Sequence, residues 1–264
     1  MLVDTHCHLD SDDYDADRAD VIARAAANGV TRIINPAVDV ASGKAALALT
    51  ANYPGLYAAV GIHPNSTADI DDKALAAVEA QARNAKVVAI GEIGLDYYRD
   101  WSPKEKQRIA FEQQLTLAAQ LELPVIIHNR EASDDVMAVL AAWVPTLPLP
   151  LRDRPGVLHS FSAPRAAAEK ALSLGFYLGF TGPVTYRNAD DLRSIAASVP
   201  LDRLLVETDG PYLTPQQHRG KRNEPAYVRL TAERLAALRA MPDEVLEEAT
   251  TQNAERLFKL PPTT

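Results

Sequence analysis

The run VVAIGE, residues 87–92, and the run VII, residues 125–127, are short, continuous stretches of mainly apolar residues. Strands that are apolar on both faces suit a parallel sheet whose two faces are covered by helices. Similar runs recur along the chain and alternate with stretches whose apolar residues have helical spacing. The predicted strands are 1–6, 31–36, 56–62, 86–91, 124–128, 156–160, 176–180 and 203–207, and the predicted helices are 15–28, 42–52, 71–83, 103–122, 131–143, 164–174, 189–198, 225–239 and 243–258.

Eight strand–helix pairs indicate a closed barrel more readily than an open sheet. No glycine-rich dinucleotide fingerprint follows the first strand, which also disfavours the open sheet. We therefore predict an α/β fold, a (β/α)8 or TIM barrel, formed as a single domain by residues 1–264. In such a barrel the C-terminal ends of all strands open on one face, where active sites lie.

Local patterns predict where some elements begin and end. Ser102 and Glu105 predict a capping box at a helix start, with the intervening proline at the first helical position. Gly29 and Gly175 are typical of helix ends. The proline-rich segment 145–155 is predicted as a surface loop rather than a linker between domains.

The composition restricts the class of function. The formal net charge is −8, and a broad, non-specific nucleic-acid surface needs a basic face. A phosphate-binding site is therefore expected to be small and centred on metal ions. The chain has one cysteine, Cys7, so we expect no intramolecular disulfide and a reducing, cytoplasmic location. We see no signal-peptide pattern and no membrane-spanning run, and we predict no stable protein partner.

The motif DTHCH, residues 4–8, ends the first predicted strand. Because side chains alternate along an extended chain, His6 and His8 face one side and Cys7 faces the other. Two imidazoles on one face make half of a zinc or other transition-metal site. We predict His6 and His8 as metal ligands and Cys7 as a packing residue, with two structural histidines as the alternative for this motif alone.

Residues of metal-binding type also end five other predicted strands. They are His63 after the third strand, Glu92 after the fourth, His128 after the fifth, His159 after the sixth and Asp209 after the eighth. The C-terminal strand ends of a barrel converge, so these side chains are expected to meet at its mouth. Random placement would scatter polar residues over the helices and both faces of the barrel. The pattern therefore predicts a metal site at the mouth.

Four histidines and two carboxylates can hold two divalent ions, with one carboxylate bridging them. Glu92 is the predicted bridge, because flanking glycines let the backbone approach. Asp209 is predicted to bind an ion and to accept the proton of an attacking water. His63 precedes Pro64, which turns the chain away, so we predict phosphate binding or proton transfer for it rather than metal ligation. Glu207 is predicted to support Asp209 from one layer deeper.

Six motifs spread over nearly the whole chain are HCHLD at 6–10, GIHP at 61–64, GEIGLDYY at 91–98, HNR at 128–130, ETDGPYLTP at 207–215 and RGKRNEP at 219–225. In this order and combination they resemble the TatD-type deoxyribonucleases of the amidohydrolase superfamily, and the combination is highly specific. Two stretches depart from the family, and one of them is the proline-rich segment 145–155, which is longer than the family needs. Where the family commonly has His-Cys-Phe-Ser-Gly, this chain has HSFSA at 159–163, which keeps the histidine but changes the loop that follows it.

The resemblance implies a TIM-barrel enzyme that cleaves DNA with Mg²⁺ or Mn²⁺, often by 3′–5′ exonuclease action on single-stranded or damaged DNA, with a role in DNA repair. It assigns as metal ligands His6, His8, Glu92, His128, His159 and Asp209. Histidine donors by themselves favour Mn²⁺ or Zn²⁺ over Mg²⁺, so the identity of the two ions is open.

Two other functions fit parts of the pattern. A hydrolase on the same scaffold could act on an ester (including aminoacyl-tRNA), an amide or a small phosphoester, because the ligand set alone does not select the substrate. A metal-stabilised, non-enzymatic interaction protein is disfavoured by the intact ligand set.

Aromatic and basic residues in the loops after the strands are candidate substrate contacts. Tyr97 and Trp101 follow the fourth strand, and aromatic rings beside cations suit the stacked bases of a single strand. Arg130 follows a predicted ligand by two residues and can pair with a phosphate oxygen. Arg222 lies in the densest basic run, after the eighth strand. With His63 these are the predicted substrate-binding residues, and the alternatives are loop anchors and solvated side chains.

Overall fold

The computed structural model describes residues 1–262, so residues 263–264 of the predicted domain lie outside the described residues. Within 1–262 there are eight β-strands and ten α-helices. The strands are β1 (Leu2–Asp4), β2 (Val30–Pro36), β3 (Leu56–Val60), β4 (Val87–Asp96), β5 (Val125–Arg130), β6 (Gly156–Leu158), β7 (Tyr177–Phe180) and β8 (Leu204–Val206). The helices are α1 (Arg18–Ala27), α2 (Val40–Asn52), α3 (Asp72–Ala82), α4 (Lys104–Leu121), α5 (Ser133–Trp143), α6 (Leu149–Arg152), α7 (Arg165–Ser173), α8 (Asp190–Ser198), α9 (Val228–Leu238) and α10 (Asp243–Phe258).

The strands form one sheet in chain order, β1 to β8, and each is followed by at least one helix. The strand pairs β1–β2, β3–β4, β4–β5, β5–β6 and β7–β8 are parallel. This is the strand order of a (β/α)8 barrel, and the predicted fold class is confirmed. All ten residues of β4 are buried, as expected for a strand that is covered on both faces.

The described residues form two compact units. The first contains residues 1–35, 160–162 and the chain from 178 onward. In it β7 pairs with β8, and β1 pairs with β2. β8 and β1 are joined beyond their ends, where the backbone N–H of Asp209 donates to the carbonyl of His6 at 2.8 Å. Helix α10 packs on both β1 and β8.

The second unit contains residues 36–159 and 163–177, and its strands β3 to β6 pair in order. Two buried glutamines of α4 each hold the backbone of a residue at or beyond a strand end. Gln114 accepts from the N–H of Ile62 at 2.7 Å and donates to its carbonyl at 3.1 Å. Gln107 holds Asp96 in the same way, at 2.8 and 2.9 Å. The two glutamines are seven residues apart, which places them two turns apart on one face of the helix.

Several predicted boundaries are confirmed and others are wrong. Helices α1 and α7 end just before Gly29 and Gly175, whose φ angles of 78° and 86° favour glycine. The predicted capping box is wrong, because the Ser102 hydroxyl instead accepts a hydrogen bond from the N–H of Thr67 at 3.2 Å. Strand β4 continues five residues past its predicted end at 91, with an irregular register between Ile90 and Ile93. Glu92 therefore lies inside the strand.

The proline-rich segment 145–155 is more ordered than the predicted surface loop. It contains the short helix α6, and the side chains of Leu147 and Leu151 are buried. Arg152 donates to the carbonyls of Leu147 and Pro145 at 2.8 and 2.7 Å. Burial of the two leucines explains why this segment folds back on the protein. Among the helices of residues 1–262, none combines the length and apolarity needed to cross a bilayer.

Candidate metal centre

Three side chains of the first unit form a cluster, here called the first cluster: His6, His8 and Asp209. His6 and His8 follow β1, and Asp209 follows β8. The two Nε2 atoms are 3.3 Å apart, and they lie 3.6 and 3.7 Å from Asp209 Oδ1. Cys7 between them is fully buried against Tyr14, as the alternation of side chains predicts. Two imidazole nitrogens and one carboxylate oxygen therefore converge on one point.

The size of this triangle provides a test of whether a divalent ion fits. Three atoms separated by 3.3 to 3.7 Å surround a point about 2.0 Å from each, which is the bond length of Zn²⁺ to imidazole nitrogen or carboxylate oxygen. The donors match a borderline transition ion better than Mg²⁺, which prefers oxygen. The first cluster fits a divalent metal in both chemistry and spacing.

Asp4, at the end of β1, holds the loop that carries Asp209. Its carboxylate accepts from the N–H and hydroxyl of Thr208 at 2.9 and 2.5 Å and from the N–H of His6 at 3.3 Å. Burial raises the pKa of Asp4 to about 7, although the hydrogen bonds from Thr208 and His6 oppose the shift. One buried side chain thus fixes the backbone beside two members of the first cluster.

The second cluster lies in the second unit and consists of His63, Glu92, His128 and His159. Glu92 Oε1 lies 2.7 Å from His128 Nδ1, 2.7 Å from His159 Nε2 and 3.5 Å from His63 Nε2. His128 Nδ1 and His159 Nε2 are 3.4 Å apart. One carboxylate oxygen therefore faces three imidazoles, a donor set that suits the same class of ion.

Glycine is required where β4 passes this cluster. Gly94 has a φ of 143°, and a side chain there would overlap the carbonyl oxygen of His128 on β5. A Cβ at Gly91 would lie 2.6 Å from the side chain of Ile126. The two glycines therefore let β4 pack closely against β5 on either side of Glu92.

Asp96, the last residue of β4, orients His128. Its Oδ2 lies 3.1 Å from His128 Nε2, on the side of the ring opposite Glu92. Its Oδ1 accepts from the N–H groups of Tyr98 and Arg99 at 3.0 Å each. A carboxylate on the second nitrogen of a ligating histidine fixes the ring and raises its basicity. Asp96 is a functional residue that the sequence did not reveal, because the predicted end of β4 at 91 lies five residues before it.

Burial and neighbouring charges shift the pKa values of two residues of the second cluster. Burial opposes ionisation of Glu92, but the charges of His159 and His63 outweigh it and hold its pKa well below the usual range. Burial also disfavours a charged His128, yet its hydrogen bonds with Asp96 and Glu92 raise its pKa to about 9. Protons and a metal ion compete for the same imidazole nitrogens, so metal binding is expected to release protons.

Residues 3–259 match the family model described as "TatD related DNase". The chain belongs to the TatD-related DNase family. The uncharacterised metal-dependent hydrolase YabD of Bacillus subtilis strain 168 is 42% identical over 98% of this chain and 100% of its own length. The 3′-5′ ssDNA/RNA exonuclease TatD of Cronobacter sakazakii is 37% identical, with 97% of each chain covered. The crystal structure of YjjV, a TatD homologue from Escherichia coli K12, has a TM-score of 0.91 at 37% identity, with 98% of each chain covered. The chain is therefore a member of a family of metal-dependent hydrolases.

Among the predicted substrate contacts of this TatD-family chain, three lie at the ends of β4 and β5. Trp101 is exposed, and Arg130 at the end of β5 lies over the ring of Tyr98 at 4.0 Å. Tyr97 is half-buried, and its hydroxyl donates to Asp135 at 2.6 Å. Tyr97 therefore anchors its loop, whereas the rings of Tyr98 and Trp101 are exposed.

The other two predicted contacts lie in different surroundings. His63 belongs to the second cluster, and its Nδ1 accepts from the N–H of Asn65 at 3.0 Å, so its Nε2 faces Glu92. Arg222 makes two bonds of 2.8 Å to the carboxylate of Asp17 and lies 4.7 Å from the ring of Tyr14. This internal pairing competes with any phosphate, and the role of Arg222 in substrate binding stays a prediction.

Glu207 is fully buried in the first unit. It accepts from the Thr5 hydroxyl at 3.2 Å and from the N–H of Ser160. These two residues are sequence neighbours of His6 and His159, so Glu207 braces the chain beside predicted ligands. The predicted support of Asp209 by Glu207 stays a prediction.

Proposed function

We propose that this chain is a divalent-metal-dependent exonuclease that degrades single-stranded or damaged DNA from its 3′ end. The first cluster is the observation that carries the proposal, because its spacing and donors suit an ion that activates water. The nucleic-acid substrate is supported by the relative named 3′-5′ ssDNA/RNA exonuclease, and that name adds RNA to the candidate substrates. We further propose that the protein acts as one TIM-barrel domain, in the cytoplasm, in DNA repair.

The proposed ligand assignment follows the two clusters. His6, His8 and Asp209 would hold one ion, and Glu92, His128 and His159 would hold another. The bridging role of Glu92 stays a prediction, as does the choice among Mg²⁺, Mn²⁺ and Zn²⁺. Bound divalent ions lower the pKa of water and stabilise the negative oxygens of a phosphodiester during attack.

Two side chains are proposed to transfer protons during hydrolysis. The Asp209 side chain is 14% exposed, so its carboxylate is accessible to a water molecule and can accept the proton that water loses during attack. His63 is oriented by the bond from Asn65, which leaves its Nε2 facing the second cluster. That nitrogen would donate to a phosphate oxygen or pass a proton to the leaving group.

The test uses purified protein and end-labelled single-stranded and double-stranded DNA. A chelator is expected to abolish cleavage, and one of Mn²⁺, Mg²⁺ or Zn²⁺ is expected to restore a ladder that shortens from the 3′ end. Full cleavage in chelator would contradict metal catalysis. Hydrolysis of a carboxylic ester, an amide or a small phosphoester without DNA cleavage would assign the site to the alternative class of hydrolase.

Asp209→Asn tests the proposed catalytic role with little risk to the fold. Asp209 has a φ of 56°, a region that asparagine adopts readily, so the variant is expected to keep its circular dichroism spectrum. Turnover should fall by at least about 100-fold, the order expected for losing a general base. A near-wild-type rate at saturating metal would remove Asp209 from the mechanism.

A further inference from the structure

The loop that follows β4 presents two large aromatic side chains to solvent. Tyr98 is 53% exposed and Trp101 is 63% exposed, although large apolar side chains are usually buried. Guanidinium groups lie over both rings. Arg130 is 4.0 Å from the centre of the Tyr98 ring, and Arg99 is 5.4 Å from that of Tyr98 and 5.0 Å from that of Trp101. We call Tyr98, Arg99, Trp101 and Arg130 the aromatic platform.

The platform is held rigidly although its rings are exposed. Asp96 accepts from the N–H groups of Tyr98 and Arg99, and the N–H of Tyr97 donates to the carbonyl of Arg130 at 2.8 Å. The loop ends at Ser102, whose carbonyl accepts from Gln107 at 3.0 Å. These bonds fix the loop backbone before a ligand binds. Ligand binding therefore does not have to supply the free energy of ordering the loop.

The platform is also close to the second cluster. Oδ2 of Asp96 lies 3.1 Å from His128 Nε2, while Oδ1 binds the backbone of Tyr98 and Arg99. A single carboxylate therefore separates the platform backbone from a proposed metal ligand. The platform backbone and a proposed metal ligand are therefore held by the same side chain.

We propose that the aromatic platform binds consecutive unpaired bases of the nucleic-acid substrate by stacking on Tyr98 and Trp101, with Arg99 and Arg130 contacting the adjoining phosphates. The proposal rests on the proposed nuclease function and specifies how its substrate is held. Aromatic side chains beside arginines bind single strands of any sequence, because every base has a π-face. A duplex hides those faces in its own stack, so the platform selects single strands or unpaired ends.

The charges near the platform indicate that stacking dominates over phosphate attraction. Its two arginines are accompanied by exposed acidic residues, Asp100 and Glu131 on the same loops and Asp134 in the first turn of α5. A basic groove would instead show a large excess of cations. With two phosphates contacted, the logarithm of the binding constant should change with the logarithm of salt concentration by a slope of about −1.4 or shallower.

Binding can be measured without turnover by using a fluorescein-labelled ten-residue oligothymidylate with phosphorothioate linkages, in Mg²⁺, with its integrity checked afterwards. Fluorescence anisotropy gives the dissociation constant. Trp101→Ala is expected to weaken binding roughly tenfold, and Trp101→Phe is expected to retain most of the affinity because a ring remains. Leu149→Ala is the matched control, since Leu149 is 74% exposed on α6 and should have no effect.

Oligouridylate should compete as well as oligothymidylate, because stacking does not read the sugar. A blunt duplex should bind equally to the wild type and to Trp101→Ala. Unchanged oligothymidylate binding in Trp101→Ala would overturn the proposal, and so would an equal loss for duplex and single strand. A protein that binds oligothymidylate through Trp101 but cleaves no nucleic acid would support the platform and refute the nuclease function, so the two failures are distinguishable.

Discussion

Replacing Asp96 with asparagine should weaken metal binding without disturbing the platform. The buried carboxylate presents one oxygen to His128 Nε2 at 3.1 Å and the other to two loop N–H groups at 3.0 Å. Asparagine keeps an oxygen for the loop, so its amide nitrogen must then face His128. A donor in place of an acceptor removes the contact that orients the ring and makes its opposite nitrogen more basic.

Oδ2 also accepts from Asn65 Nδ2 at 3.2 Å, so asparagine loses this bond together with the contact to His128, and the loss at His128 sets the magnitude. Removing the carboxylate partner of a ligating histidine typically costs 10- to 100-fold in metal affinity, which is about 1.4 to 2.7 kcal/mol. The loop bonds to Tyr98 and Arg99 survive, so binding of the phosphorothioate oligothymidylate should change little. At saturating metal, most of the turnover should return.

Titration calorimetry of metal-free protein with Mn²⁺ measures the change in affinity. Asp135→Asn is the matched control, because Asp135 is an exposed aspartate that bonds to Tyr97 rather than to a histidine. The proposed role of Asp96 is refuted if Asp96→Asn, folded by circular dichroism, binds Mn²⁺ as tightly as the control variant. It is also refuted if the oligonucleotide affinity falls while the metal affinity stays constant.

Two further predictions concern the ion pairs. Arg222→Ala should lower the melting temperature and leave the salt dependence of DNA binding unchanged, because its guanidinium is bound to Asp17. Lys221→Ala is the comparison, since it removes an exposed cation from the same loop. A shallower salt slope in Arg222→Ala alone would contradict this expectation and support Arg222 as a phosphate contact. In chelator, stability should decrease as pH rises from 6.5 to about 9, because the folded-state pKa of His128 lies above its unfolded value, so its favourable interactions are fully present below pH 6.5 and are lost as the proton leaves. Urea unfolding of His128→Gln should lack this component, and identical pH profiles for variant and wild type would contradict it.

The barrel could be predicted because its physical signal is repeated in the sequence. Continuous apolar runs mark buried parallel strands, and all ten residues of β4 are indeed buried. The continuation of β4 beyond Gly91 could not be predicted from that signal, because glycines and a glutamate interrupt the apolar run. Those residues stay in the strand because β5 packs closely against them, which is a tertiary contact. The capping pattern at Ser102 failed for a similar reason, since its hydroxyl bonds to a residue 35 positions away.

The candidate ligands could be predicted because sequence periodicity locates the ends of strands. In the structure these residues lie in the two clusters. The residues that orient them are harder to predict. Asp4 and Asp96 are acids within or at the end of strands, and their partners become apparent only when Thr208 and His128 are brought near. Arg222 shows the same limit, because the basic run that predicts a phosphate contact does not reveal that Asp17 pairs with its guanidinium. Sequence spacing therefore identifies candidate functional residues but not the partners with which their side chains interact.

Substrate binding and metal binding are not independent in this architecture. The same carboxylate of Asp96 holds His128 and the backbone of the platform, and Gln107 of α4 fixes the backbone of Asp96 from both its N–H and its carbonyl. Displacing the loop would therefore move the partner of a proposed ligand, and displacing His128 would strain the loop. Rigid support of this kind favours a binding surface that is formed before the substrate arrives. It follows that loop substitutions which disturb Asp96 should change metal affinity as well as substrate affinity, whereas truncating the exposed Trp101 ring should change substrate affinity alone.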